Sequence, residues 1–287
     1  METKEDIKRF VRQTYGNVAI RGGYRKDSLK VSSGCGSGQP EPGEKKTPCG
    51  CGGKDIDADQ MSAFLGYSKE DLDSAPEGSN LGLGCGSPKT IASIKKGETI
   101  IDLGSGGGFD SFLVARETGN KGLVIGVDMT PEMVTRARGN KAKAKVENVE
   151  FRLGEIEHLP VGDNLADLII SNCVINLSPE KHQVYKEAFR VLKPGGRLAI
   201  SDIVALKELP DTIKQDLSMV SACIGGAATI EETKLLLKEA GFNDINITPK
   251  KVSQELIDEW LPGSRVGEYV VSAYIEAKKP LQHDQFK

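Results

Sequence analysis

Three cysteines in polar or glycine-rich settings are the residues of this chain best suited to chemistry. They are Cys85 between Gly84 and Gly86, Cys173 after Ser171 and Asn172, and Cys223 just before Ile224, Gly225 and Gly226. A thiol can act as a redox group, as a ligand for a soft metal or metalloid, or as an inert small hydrophobe. The glycines around Cys85 speak against a core position. For Cys173 and Cys223, each taken alone, burial and function stay equally open. Between Cys85 and Cys173 runs Ile101-Asp102-Leu103-Gly104-Ser105-Gly106-Gly107-Gly108, a glycine loop whose backbone can approach a ligand without Cβ clashes. No histidine convinces as a general base. His158 follows Glu157 in a loop, His182 falls on the exposed side of a first helical turn, and His283 lies in a polar tail.

The elements that must hold these groups can be read from hydrophobic spacing. Apolar residues at Ile7, Phe10, Val11 and Tyr15 predict a short helix over 4–15, and Met61, Phe64 and Leu65 predict another over 57–67. Ser68 followed by Asp71 resembles a capping box. From Thr99 a β/α alternation begins: strands at 99–103, 123–128, 149–152, 167–171 and 198–202, with helices at 109–117, from Pro131, and at 179–192. Lys193 to Arg197 reads as a turn into the fifth strand. A helix at 231–240 and strands at 245–248 and 268–277 complete the pattern. Near-continuous apolar strands between helices imply a parallel sheet covered on both faces.

At 287 residues the chain can form one large α/β domain with additions, and its 38% hydrophobic and 28% charged residues are those of a globular protein. A net charge of -3, with no basic cluster beyond Lys141 to Lys145, argues against nucleic acid as a partner. No apolar run approaches the roughly 20 residues that span a bilayer, so no membrane association is expected. The polar first residues lack the apolar centre of a secretion signal, so the expected location is the cytoplasm. Thiols stay reduced there, and six cysteines are not expected to form a disulfide framework.

The loop and its surroundings resemble the class I S-adenosylmethionine-dependent methyltransferases over about 99–202. Asp102-Leu-Gly-Ser-Gly-Gly-Gly108 follows the first strand, Asp128 ends the second, Gly154-Glu155-Ile156 follows the third, and Leu192-Lys-Pro-Gly-Gly-Arg197 precedes the fifth. The resemblance implies a Rossmann-like sheet with helices on both faces. It also implies a cofactor site of Asp102, Gly104, Ser105, Gly106 and Gly107 for the methionine moiety, Asp128 and Met129 for the ribose, and Glu155 and Ile156 for the adenine, with Asn172 beside them. Three regions are expected: an N-terminal extension (1–80) with a mobile loop at 32–53, the Rossmann-like core (81–205), and a C-terminal α+β addition (206–287) that lids the acceptor site and completes the sheet.

The cysteines narrow the resemblance further. Val11-Arg-Gln-Thr-Tyr-Gly16, Pro76 to Pro88, Ser171-Asn-Cys-Val-Ile-Asn-Leu177 and Cys223-Ile-Gly-Gly-Ala227 are similar to the arsenite methyltransferases. That resemblance implies that Cys85, Cys173 and Cys223 bind As(III), as arsenite or its glutathione complex. It also implies an accessory redox thiol, Cys49 or Cys51, served by glutathione or thioredoxin. A zinc site from Cys35, Cys49 and Cys51 is the rival reading of that segment, though it lacks a fourth ligand. Other functions for the whole chain are a small-molecule C- or O-methyltransferase, indifferent to cysteine replacement, and a non-enzymatic metalloid or zinc sensor on the same fold.

Overall fold

Successive strand residues feed two cores rather than one. In β1 (Thr99–Leu103), Ile101 and Leu103 join one hydrophobic cluster and Ile100 another; β2 (Leu123–Asp128) divides Ile125 and Val127 from Val124 in the same way. Helices α4 (Phe109–Thr118) and α5 (Pro131–Ala144) close the cluster around Ile100. Helices α6 (Lys181–Val191) and α9 (Ile230–Glu239) close the one around Ile101. Both faces are therefore dry, which is why these strands are apolar throughout instead of alternating. The expected Rossmann-like α/β sheet is present in this computed structural model, which describes residues 3–23, 57–250 and 266–281. Loop 32–53 with its three cysteines, and His283, lie outside the described residues.

The sheet order is β3-β2-β1-β4-β5-β7-β6. Strands β3 (Val149–Leu153), β2, β1, β4 (Ala166–Asn172) and β5 (Leu192–Ala205) run parallel; β7 (Val270–Lys278) lies antiparallel between β5 and β6 (Asn243–Pro249). The order reverses between β1 and β4. The carboxyl ends of those two neighbours therefore flank the crevice where open α/β sheets bind ligands.

Three elements differ most from their predicted limits. Strand β5 begins at Leu192, not Leu198, because Leu192 pairs with Ala166 across an irregularity in the register. Its glycines are held from the far side by the Lys279 backbone, and the Lys279 ammonium donates to Phe189 and Leu192 carbonyls. Helix α1 (Lys4–Arg21) runs past Tyr15, since Val18 and Ala19 pack on Leu81 and Met133. It starts in a Thr3/Asp6 capping box and ends at Gly22. Helix α2 (Ala58–Phe64) is shorter than its predicted span, and α3 (Lys69–Ser74) opens in the expected Ser68/Asp71 box. Two short helices, α7 (Asp211–Lys214) and α8 (Leu217–Ser221), follow β5. Among the described residues, no helix is long and apolar enough to cross a membrane.

Arg197 anchors β5 to the turn before β1. It donates to both Glu98 oxygens at 2.7 and 2.9 Å and to the carbonyls of Ala92 and Ser93. Burial works to raise the Glu98 carboxyl, but the bonds from Arg197 and the Lys95 amide outweigh it and hold it below its ordinary value. Arg197→Ala is expected to cost about 2 kcal/mol of stability in urea melts near neutral pH. A depressed carboxylate stabilises the fold above its unfolded pKa. The gap between wild type and variant should therefore be full above about pH 4.5 and shrink as pH falls below it.

Candidate functional site

The glycine loop leaves β1 at Gly104, whose amide, like that of Ser105, donates to the Val127 carbonyl of β2. This folds the loop back over the end of β2 and onto Asp128. That carboxylate accepts the Gly106 amide at 2.9 Å and the Thr130 amide at 2.8 Å. Burial raises its pKa, and those amides oppose the rise. These bonds still leave the carboxylate lone-pair capacity for a diol. Gly106 has a φ of +51°, and a methyl group on it would find only Met133 Sδ, 3.9 Å away. A side chain there would fill the cleft. A deep cleft walled by Met129, Met133, Ile156 and Val174 opens from this loop. An acid at the strand end, bare backbone beside it and an apolar slot beyond suit S-adenosylmethionine.

Not every expected cofactor residue faces that cleft. Gly104, Gly106, Asp128, Met129, Ile156 and Asn172 do; Asp102, Ser105, Gly107 and Glu155 do not. Asp102 is buried behind the loop, accepting a 2.6 Å bond from Ser111, with its pKa pushed well up by burial and by the nearby Asp110. Gly107 packs on the Ser79 carbonyl, and Ser105 against Gly126. Glu155 turns outward to Lys8 and Arg12 of α1, at 2.8 and 3.2 Å.

Helix α1 roofs the cleft, with Lys8, Val11, Tyr15 and Val18 among the lining. A seam of charge holds its first half down. Lys4 pairs with Glu180, and Lys8 with Glu155, Glu157 and Glu180. Lys8 and Glu157 are buried, so this seam is shielded from salt better than a surface pair. Sequence reasoning missed this role, although Lys4, Lys8 and Arg12 recur at the spacing that puts them on one helix face.

The three cysteines fall in one cluster at the other end of the cleft, where the sulfurs of Cys85 and Cys173 group with Asp202 and the Cys223 sulfur stands outside that group. Cys173 follows β4 and Cys223 follows α8; both line the cleft, and both hold positive φ, +54° and +63°. The Cys223 thiol donates to the Cys173 carbonyl at 2.7 Å. Cys85 sits behind Cys173 and is bonded to it, with Cα atoms 5.9 Å apart. The sequence led to no expectation of a disulfide framework, and among the described residues this one pair is bonded while Cys223 is free. The chain separation of 88 residues hid a contact made by adjacent structural elements. Asp202 brings a carboxylate oxygen within 4.8 Å of both bonded sulfurs. Burial pushes the Cys223 thiol well above its usual pKa, and the Asp202 charge adds to this. Tyr15 reaches across from α1 to the Ser221 carbonyl at 3.0 Å. Among the described residues no histidine lines the cleft, and His158 and His182 are both exposed.

Residues 94–241 match a family model described as a methyltransferase domain. The arsenite methyltransferase of Halobacterium salinarum is 47% identical over 98% of this chain and 68% of its own length. The chain belongs to the arsenite methyltransferase family. The mouse arsenite methyltransferase is 36% identical over 67% of the chain, but the chain spans only 52% of that relative. The crystal structure of an arsenic(III) S-adenosylmethionine methyltransferase from Chlamydomonas reinhardtii superposes with a TM-score of 0.59 at 31% identity. It covers 77% of this chain and 73% of its own. As a family member the chain is an S-adenosylmethionine-dependent methyltransferase.

Two substitutions test the cofactor end of this arsenite methyltransferase fold. Asp128→Asn removes the charge that faces the cleft and should weaken S-adenosylmethionine binding by about 1.5–3 kcal/mol in calorimetry. Gly106→Ala should weaken it by about 1–3 kcal/mol, because the added methyl group enters the slot rather than the core. A variant that binds as tightly as the wild type would place the cofactor elsewhere.

Proposed function

We propose that this chain transfers methyl groups from S-adenosylmethionine to trivalent arsenic held by Cys85, Cys173 and Cys223. The observation that supports this reading is the gathering of three cysteines from remote segments into one cluster at one end of the cleft; the Cys223 sulfur would have to move toward the other two to share a ligand with them. The backbone supports it. A positive φ at a residue other than glycine costs about 1–3 kcal/mol and persists where the surroundings enforce it, often at active sites. Cys173 and Cys223 both carry that strain.

The thiol chemistry fits a buried site. Each thiol that bonds arsenic passes its proton to an arsenite hydroxyl, which leaves as water. A neutral Cys223 therefore needs no separate base, in keeping with a cleft that no histidine lines among the described residues. Arsenic bound by glutathione would exchange in the same way, with glutathione leaving as the thiol. Bound in the cleft, S-adenosylmethionine supplies a methyl group on a positively charged sulfur, and the C–S electron pair leaves with that sulfur. The arsenic lone pair forms the new bond, and arsenic becomes formally pentavalent. The protein's main contribution is alignment: α1 and the glycine loop fix one partner while the cysteines fix the other. Positioning of this kind can supply roughly 7–11 kcal/mol of a barrier.

Two electrons must then return to arsenic. Two of its thiolate ligands can leave joined as a disulfide, which restores As(III), and the bonded Cys85–Cys173 pair is such a product in kind. A thiol reductant, glutathione or thioredoxin, would reopen it by exchange, with Cys49 or Cys51 as the relay.

Incubation with arsenite, S-adenosylmethionine and a thiol, followed by arsenic speciation, tests the reading. Cys173→Ser and Cys223→Ser should each lower methylation about a hundredfold or more, while calorimetry shows S-adenosylmethionine binding retained. Full activity in either variant removes that residue from the ligand set. Replacing Cys49 and Cys51 together should slow turnover driven by thioredoxin; normal turnover ends their role as a relay.

A further inference from the structure

Asn172 stands next to Cys173 in the chain and lines the cleft, where the resemblance to the wider methyltransferase class makes it a cofactor residue. Its amide is already engaged. The Oδ1 atom accepts the Cys85 backbone amide at 3.0 Å. The Nδ2 atom donates to the Gly86 carbonyl at 2.8 Å and faces the Tyr67 hydroxyl at 2.9 Å and Asp110 at 3.1 Å. One side chain thus grips the backbone on both sides of the Cys85 sulfur, as a neighbouring strand would.

Two further observations point the same way. Gly84 has a φ of +119°, and a Cβ there would lie 2.7 Å from Asn172 Nδ2, so the loop before Cys85 is shaped around this amide. Behind it, the buried Tyr67 hydroxyl donates to Asp110 at 2.7 Å and leaves its own lone pairs to Asn172. The amide cannot rotate toward the cleft without breaking these bonds in a buried setting.

We propose that Asn172 is a positioning residue for the thiols, holding the Cys85 loop at the distance from Cys173 at which their sulfurs can bond each other or share one ligand. This deepens the reading of the site as an arsenic-binding set and rests on it. The clamp keeps the two sulfurs close after the disulfide is opened, when no covalent link does so.

The test uses the full chain without arsenic or cofactor. Wild type and Asn172→Ala are equilibrated in mixtures of reduced and oxidised glutathione, and the Cys85–Cys173 bond is quantified by peptide mapping. Forming the bond consumes two thiols and one glutathione disulfide and releases two glutathione thiols. Its equilibrium constant therefore reports how close the sulfurs are held, and it should fall about tenfold in the variant. An unchanged constant overturns the proposal. So does weakened S-adenosylmethionine binding with an unchanged constant, which would make Asn172 a cofactor residue. Thr118→Ala removes a buried bond to the Glu98 carbonyl, just before β1 and at the far end of that strand from the thiols, and is expected to lower the melting temperature without moving the constant. An equal shift in both variants would mean general loosening and would also overturn it. Should Asn172→Ala not fold, Asn172→Asp keeps the acceptor for Cys85 and loses the donor. A smaller shift in the same direction is then expected, and none overturns the clamp. Because this readout contains no arsenic, it stands apart from the Cys173→Ser assay that tests the ligand set.

Discussion

The pairing of β1 with β4 sets where everything else in the site must go. Leu103 lies opposite Ser171, so the chain leaves β1 at Gly104 and β4 at Asn172 and Cys173 side by side. Neighbouring strands sit about 4.8 Å apart. The glycine loop and the first of the cleft-lining cysteines thus leave the ends of neighbouring strands. Any slip in that register would carry Cys173 away from the loop and turn its neighbours to the opposite face. The buried isoleucines of both strands, divided between two cores, are what forbid the slip.

Much of this was legible in the amino-acid order. Buried parallel strands are apolar runs, and five of them stood out with the turns and helices between them. Where a boundary failed, a local signal was overruled by a distant partner. Lys193-Pro-Gly-Gly looks like a turn, yet residues 166 and 279 draw it into the sheet. The site was legible by type but not by direction. Asp102 and Glu155 occupy family positions, but a position in a motif does not say where a carboxylate points. One is claimed by Ser111 and the other by Lys8, partners 9 and 147 residues away. The left-handed backbone at Cys173 and Cys223 could not be read at all, because cysteine carries no preference for that region as glycine or asparagine does.

The roof of the cleft shows how a helix of modest apolar content can be held in place. Only one edge of α1 is greasy, and a row of lysine and arginine does the rest against glutamates that follow β3 and precede α6. Tyr15 extends the same helix to the carbonyl of Ser221, beside Cys223. One rigid rod therefore touches the loop at the expected adenine end and the segment that carries a thiol. A shift of the rod would disturb both at once.

Strand β7 has a consequence for how the protein is made. It is wedged between β5 and β6, pairs with β5 along nine residue pairs from Arg197 to Ala205, and sends Ser272 to grip the Cys85 carbonyl at 2.6 Å. During synthesis the segments bearing all three cysteines emerge before residue 270 does. Until then β5 has a bare edge open to misplaced pairing, and nothing on that side steadies the loop around Cys85. A nascent chain thus exposes its sulfurs while their framework is still unfinished.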